Sequence, residues 1–480
     1  ILFGFGIGYF IQAIKEGTLK AFLVSSAVML GVGLIAVGPS VDLLMLTKEY
    51  TTQTMRGGQS ELTIGKTEKK TDGGLDKDYA FAWSQSIGET FTFLIPDFKG
   101  GASSTIRNAD PDALKQVNPE YREQVASNNS YFGNQPFTSG PVYIGALVVF
   151  LAFLGMFVVK HSIKWPLFFA TILTVALGWG SNFMPLTDFF MHYVPGYNKF
   201  RAVSMIMIVA ELTLPILAIM AVNELLKFKN WEQKLKLNLI SKEVSLKKLI
   251  IVSASIVGGF CLLNYVAPDL FNTFLAENED QIMINEAVRA GNPADQVRAY
   301  VMELMPQLEV ARKAIFKSDA FRSFVFILLG LLSLYLYFTN KIKREYLMLS
   351  LGIFILVDLW TVDQRYLNTR SFITKEQNEQ SVVGKTKADE EILEDRDPNY
   401  RVLNLSTSTW NDAQTSYYHK SVGGYHGAKL KKYQEAIDCY NITLELDEPS
   451  SFVLLRVAKC FERLGNTEFA LNYYLKFTPI

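Results

Sequence analysis

The sequence predicts a mainly α-helical, polytopic membrane bundle of about eight spans, with extracytoplasmic α+β loops and a tetratricopeptide-like helical segment at its C-terminal end. Three observations predict it. Apolar residues gather into blocks, most of them roughly 17–22 residues long and nearly free of charge, which is the length a helix needs to cross a ~30 Å hydrocarbon core. Lysines recur in every second link between blocks. The remaining polar mass collects in the other links and after the last block. Only 20% of the 480 residues are charged. The 47 basic and 47 acidic residues cancel, which removes the electrostatic case for a nucleic-acid partner. Three cysteines and four histidines, widely scattered, exclude a disulfide scaffold and offer no zinc-site spacing.

The apolar blocks fall at 1–13, 21–38, 141–159, 165–183, 202–222, 249–267, 323–339 and 346–361. The first is too short to cross alone and reads as a helix whose start lies before Ile1. Each must be helical, because lipid offers the backbone no other hydrogen-bond partner. Lys15 and Lys20, Lys160 and Lys164, the lysines from Lys227 to Lys248, and Lys341, Lys343 and Arg344 occupy alternate links, which the positive-inside bias places in the cytoplasm. The expected organisation is therefore helices one and two (1–38), a large extracytoplasmic loop (39–140), helices three to five (141–222) with an external loop at 184–201, a cytoplasmic loop (223–248), helix six (249–267), an extracytoplasmic helical loop (268–322), helices seven and eight (323–361), and an extracytoplasmic region (362–432). Most polar mass then lies on one face, which suits work on something held there better than solute shuttling.

Several residues could carry chemistry. In the first large loop, Trp83, Glu89 and Asp97 combine a ring face with carboxylates, the residue types a sugar or acceptor groove needs; an amphipathic segment lying on the membrane is the alternative. Two prolines, Pro185 and Pro195, interrupt the segment 185–201, so it should form a short re-entrant or interfacial piece. At its end Lys199 and Arg201 could hold a phosphate or lipid carrier, a fork and a point charge respectively, or could snorkel to ordinary phospholipid. His192, four residues after Asp188, would be a proton-transfer pair on a helix. Glu211 lies within a span and should face the bundle interior or be protonated, and Pro215 kinks the helix beside it. Asp358, near an interface, calls for no special role. There is no Walker loop, HExxH, GxSxG or CxxC pair.

The runs Gly74-Leu75-Asp76-Lys77-Asp78-Tyr79-Ala80-Phe81-Ala82-Trp83-Ser84, Gly88-Glu89-Thr90 and Leu94-Ile95-Pro96-Asp97-Phe98-Lys99-Gly100-Gly101 resemble the YfhO-type bacterial membrane proteins. So do Tyr131-Phe132-Gly133-Asn134-Gln135-Pro136, Asn198-Lys199-Phe200-Arg201, Asp358-Leu359-Trp360 with Arg365-Tyr366-Leu367-Asn368, and Gly423-Gly424-Tyr425-His426-Gly427-Ala428-Lys429-Leu430. The resemblance covers about 1–435. It implies a GT-C-like glycosyltransferase of the bacterial cytoplasmic membrane, moving a sugar from a polyprenyl-phosphate donor to a cell-envelope acceptor such as a teichoic acid. The catalytic carboxylate of such enzymes lies in the first external loop, which is expected to precede this sequence. No cofactor follows; a divalent metal is compatible with the resemblance but has no motif here. The alternatives are a lipid or polysaccharide transporter, with Glu211 and Pro215 as a polar gate, and a non-catalytic envelope scaffold.

From Tyr433 the pattern changes. Ala436-Ile437-Asp438-Cys439-Tyr440 returns as Ala470-Leu471-Asn472-Tyr473-Tyr474 at the 34-residue tetratricopeptide period, with Leu464-Gly465 between. Cys439 and Cys460 read as small residues buried between these helices, and so short a piece should be marginal without neighbours.

Overall fold

In a computed structural model of the chain the described residues are 2–57, 74–237, 242–397, 400–404, 406–408, 411–421, 423–427 and 430–432. The tetratricopeptide-like segment 433–480, with Cys439 and Cys460, lies outside them. The described chain is mainly helical. The longer helices are α1 (Leu2–Glu16), α2 (Leu19–Val37), α3 (Val41–Gln53), α4 (Ala146–Val158), α5 (Lys164–Gly178), α6 (Met184–Tyr193), α7 (Ile208–Leu225), α8 (Leu246–Val266), α9 (Glu279–Arg289), α10 (Ala294–Phe338) and α11 (Arg344–Tyr366). One short hairpin, β1 (Lys234–Leu237) with β2 (Lys242–Ser245), pairs antiparallel with Lys234 opposite Ser245.

Five helices are long and apolar enough to cross a membrane, or six when the bent pair Lys164–Gly178 and Gly180–Tyr193 is taken as one broken span. The chain is thus a multi-span membrane protein by its helices, with fewer full-length spans than the eight apolar blocks. The difference has identifiable causes. The block 141–159 yields a helix of only 13 residues, because Gly145 at φ 107° breaks the chain just before Ala146. At 1.5 Å per residue that helix is about 20 Å long, shorter than the hydrocarbon core. The block 165–183 turns through 110° near Gly178–Gly180 and continues as α6, so the proline-bearing piece is a short helix of either a broken span or a re-entrant loop.

Helix extends beyond two of the apolar blocks. The apolar helix from Leu19 runs on to Gln53, so 39–53 is helix and not the start of a loop. The segment 294–322 is continuous with the seventh block as one helix of 45 residues, about 68 Å long.

The chain forms two compact units: Ile1–Val28, Phe81–Val194 and Arg201–Thr369 in one, and Met29–Ala80, Pro195–Phe200 and Arg370–Ile480 in the other. In the first, α4 is the most enclosed helix and packs on α7, α8, α10 and α11. Glycine permits the closest of these approaches: a Cβ on Gly155 would stand 3.0 Å from the Leu217 carbonyl oxygen and 3.1 Å from Ala221 Cβ. Thr171 of α5 and Thr213 of α7 hydrogen-bond at 2.7 Å, a way for two helices to bury hydroxyls without water.

Helix α10 serves two cores. Its second half (Phe316, Ala320, Ile327, Leu334) joins the membrane bundle. Its first half presents Val301, Leu304, Leu308, Ala311 and Ile315, at alternating three- and four-residue spacing, to the loop residues Ile106, Leu114, Val117 and Val125. The loop from 106 to 126 therefore folds as a cap around a core that it shares with the first half of α10.

In the second unit, Arg56 Nη1 donates to the Lys199 carbonyl, Lys199 Nζ donates to the Arg56 carbonyl at 2.7 Å, and Leu75 N donates to the Asn198 carbonyl at 2.9 Å. Helices Lys375–Val383 and Lys387–Leu393 each open on a capping box, from Thr374 and Thr386.

Replacing Gly155 by leucine should force α4 and α7 apart. The expected loss is about 1–3 kcal/mol, the cost of overpacking a tight core, read as a lowered thermal midpoint in detergent. An unchanged midpoint would show that the two helices do not approach this closely.

Candidate functional site

The most chemically loaded site in the first unit lies where the 94–101 turn meets α10 and α11. The turn is anchored by Phe98, which is buried edge-on to Phe316 at 5.3 Å. Ser323 Oγ donates to the Leu94 carbonyl at 2.7 Å, and Asn272 Nδ2 donates to the Phe98 carbonyl at 3.3 Å. These ties bring Asp97 against Asp319, and the Asp97 amide donates to Asp319 Oδ2 at 3.1 Å.

Two buried carboxylates then share one cation. Arg365 Nη1 reaches Asp97 Oδ2 at 2.8 Å and Asp319 Oδ2 at 2.7 Å, while Nη2 reaches Asp319 Oδ1 at 2.6 Å. Tyr366 Oη donates to the remaining oxygen, Asp97 Oδ1, at 2.9 Å. Two negative charges against one positive charge in low dielectric leave an imbalance, and Asp97 absorbs it. Burial first, and then the Asp319 charge, push its carboxyl from 3.8 up to about 7, with Arg365 opposing the rise.

A cavity of about 180 Å³ opens beside this pair, lined by Asp97, Arg365 and Tyr366 together with Ser104, Asn108 and Ser139. Two successive left-handed glycines, Gly100 at φ 84° and Gly101 at φ 76°, form its wall. A Cβ on Gly101 would stand 2.6 Å from Asp97 Oδ1 and 2.9 Å from Tyr366 Oη, so only glycine leaves the carboxylate open there. The result is a carboxylate that ionises near neutrality, a guanidinium, and small hydroxyl and amide groups, all facing one small polar space. Such a set can accept a proton from, and hydrogen-bond, a hydroxylated ligand.

Next to it, Asp358 is buried, which corrects the view of it as an unremarkable interfacial residue. Its carboxylate accepts from Tyr143 Oη at 2.8 Å, from Arg322 Nη2 at 2.6 Å and from the Ala146 amide at 3.0 Å. The last bond caps the N-terminus of α4, where a negative charge also meets the helix dipole favourably.

The residues singled out from sequence are dispersed. Asp97 alone lines the cavity. Glu89 is buried and internally engaged: it forms a capping box with Ser86 and accepts from Tyr131 Oη at 2.7 Å and Gln135 Nε2 at 3.0 Å. Trp83 donates to the Phe137 carbonyl at 3.2 Å and carries the Arg201 guanidinium 5.8 Å from its ring. Lys199 belongs to the second unit, where burial lowers its amine. His192 is exposed, and its Nδ1 meets the backbone carbonyl of Asp188 at 2.8 Å. Glu211 faces outward and not into the bundle, a correction with a plain cause: Ala210, Thr213 and Leu217 occupy the packed face of α7, and residue 211 falls on the other. Among the described residues no group of three or more His, Cys, Asp or Glu side chains could hold a metal ion.

Asp319, Arg322 and Tyr143 are the residues sequence reading missed; Arg365 and Tyr366 stood in the family-like run without a role. The signal was there in part. Asp319 lies seven residues after Arg312, so two charges share one face of an otherwise apolar helix.

Comparison of the chain with protein-family models, curated proteins and solved structures finds no match.

Arg365→Ala strands two carboxylates and should cost roughly 3–5 kcal/mol, read by denaturation in detergent; a loss under 1 kcal/mol would show the pair to be solvated. The Asp97 carboxyl is raised in the fold relative to the unfolded chain, so its contribution to stability is present at low pH and is lost as pH rises through about 7. Asp97→Asn removes that loss. Its thermal midpoint should gain on the unsubstituted chain as pH is raised from 3.8 to about 7 and level off above that, and a constant difference over this range would contradict the shift.

Proposed function

We propose that this chain is the membrane body and external cap of a GT-C-like glycosyltransferase of YfhO type, acting on a polyprenyl-phosphate-linked sugar and a hydroxylated envelope acceptor at the extracytoplasmic face of a bacterial cytoplasmic membrane. One observation carries the reading. The small polar cavity at the C-terminal end of α11, beside the middle of α10, holds a carboxylate that titrates near 7 beside a guanidinium and hydroxyl-bearing side chains. The cavity belongs to a protein whose helices are long enough to span lipid.

In this reading Asp97 accepts the proton of an acceptor hydroxyl. That oxygen forms a bond to the anomeric carbon, the bond from that carbon to the carrier phosphate breaks, and the phosphate leaves with the electron pair. Arg365 offsets the charge, and Gly100 and Gly101 keep the approach clear. Arg201, laid on Trp83, contacts the carrier phosphate as its fork geometry allows. Glu89 is held by Tyr131 and Gln135, away from the wall of this cavity. The transport reading rests on Glu211 and Pro215, and of these Pro215 lines a largely apolar cavity of about 500 Å³.

With a purified polyprenyl-phosphate sugar and the full-length protein, Asp97→Asn should lower kcat by about 10²–10⁴ with little change in KM. The rate of the unsubstituted enzyme should rise with pH through about 7, since the base works only when ionised. A flat profile across neutrality would remove Asp97 from the role. Arg201→Ala should abolish transfer while leaving membrane insertion intact; unchanged transfer would remove that contact.

A further inference from the structure

A second cavity of the first unit is larger and has a different character. It encloses about 910 Å³ between the C-terminal end of α1, the turn joining α4 to α5, and the start of β1. Four lysines face it: Lys15, Lys160, Lys164 and Lys234. They come from three separate links that sequence places on the same membrane side. Among the described residues no carboxylate lines the cavity. The two nearest along the chain are engaged elsewhere, Glu16 with Gln12 and Glu232 with Lys247.

The rest of the wall is largely apolar, with Ile7, Ile11, Phe157 and Phe169 below the lysines. Trp165 stands at the rim, with Lys164 Nζ 5.6 Å from its ring and donating to the Met156 carbonyl at 2.8 Å. A tryptophan between an apolar wall and a ring of ammonium groups marks headgroup depth in a bilayer. Close packing of α1 shapes the cavity: Gly4 and Gly8 lie against Pro166, where a Cβ on Gly8 would come within 2.9 Å of Pro166 Cγ.

We infer that this cavity is a binding site for an anionic phospholipid, its phosphate held by the lysine ring and its acyl chains on the apolar wall. Uncompensated cations attract an anion, and each basic residue at a membrane surface strengthens that attraction several-fold. A free phosphate would leave most of the volume and all of the apolar wall unused. The site lies beside the C-terminal end of α4, whereas the Asp97 cavity lies beyond its N-terminal end, so the inference stands apart from the transferase reading.

The test uses the purified full chain, stripped of lipid in neutral detergent and titrated with phosphatidylglycerol, phosphatidylcholine or inorganic phosphate. Bound lipid is counted by native mass spectrometry and the thermal midpoint is followed. Phosphatidylglycerol should be retained in preference to phosphatidylcholine and should raise the midpoint, while inorganic phosphate does neither. Lys15, Lys160 and Lys234 are exposed, so K15Q/K160Q/K234Q should fold and lose the preference by on the order of five-fold per lysine. K341Q/K343Q, in a link that contributes no residue to the cavity wall, should keep it. Equal retention of the two lipids by the unsubstituted chain would overturn the proposal whatever the variants do. So would a triple variant that keeps the preference, and stabilisation by phosphate alone would reduce the site to a simple anion site.

Discussion

The fold depends on paying for charge inside one long helix. Arg312, Asp319 and Arg322 are spaced so that each turns toward another element of the first unit, and each is met there. Arg312 is fully buried, forks Glu279 with two bonds of 2.8 Å, and donates to the carbonyls of Asn129 and Phe274. Asp319 takes Arg365, and Arg322 takes Asp358. An unpaired charge at any of these depths would cost several kcal/mol, so the external cap, α9 and α11 are all held to α10 by the need to satisfy it. Directional bonds of this kind set where each element stops along the helix, which apolar packing alone leaves loose.

That constraint explains why the cap and the bundle share α10. The apolar face of the helix changes partner between Ile315 and Phe316, from the loop core to the membrane core, and the buried charges cluster at the same level. The candidate site forms at this junction because it is where backbone from an irregular loop, with its free carbonyls and left-handed glycines, meets helix ends that carry charge. Asp97 inherits its elevated proton affinity from the same arrangement, being the carboxylate for which the shared guanidinium does not fully compensate.

Much of the bundle was legible in the chain. Hydropathy located each apolar helix, since the length and purity of an apolar run are local properties, whereas the bend between α5 and α6 falls near Gly178–Gly180 and Pro185 sits in the first turn of α6. Local reading missed how far polar helix extends. The stretch 39–53 carries charge and was read as loop although it continues a helix, and 294–322, expected to be helical, is one helix with the block that follows it. Glu211 shows the opposite failure. The cost of its charge says that it should turn inward, yet the packing of Thr213 and Leu217 decides the rotation of α7 and leaves it outside. Trp83, Glu89 and Asp97 drew notice as residue types, and nothing in their spacing distinguished the one that faces a cavity from the one locked in a capping box.

By itself the sequence determined that this is a helical chain with several segments apolar enough to cross a membrane, because burial of apolar runs and backbone hydrogen bonding in lipid act over a single helix. Only the tertiary structure decided which carboxylates share Arg365, which lysines meet around one cavity, and which face of each helix is covered. Those outcomes join residues as far apart as Asp97 and Arg365, and no local pattern encodes such a meeting.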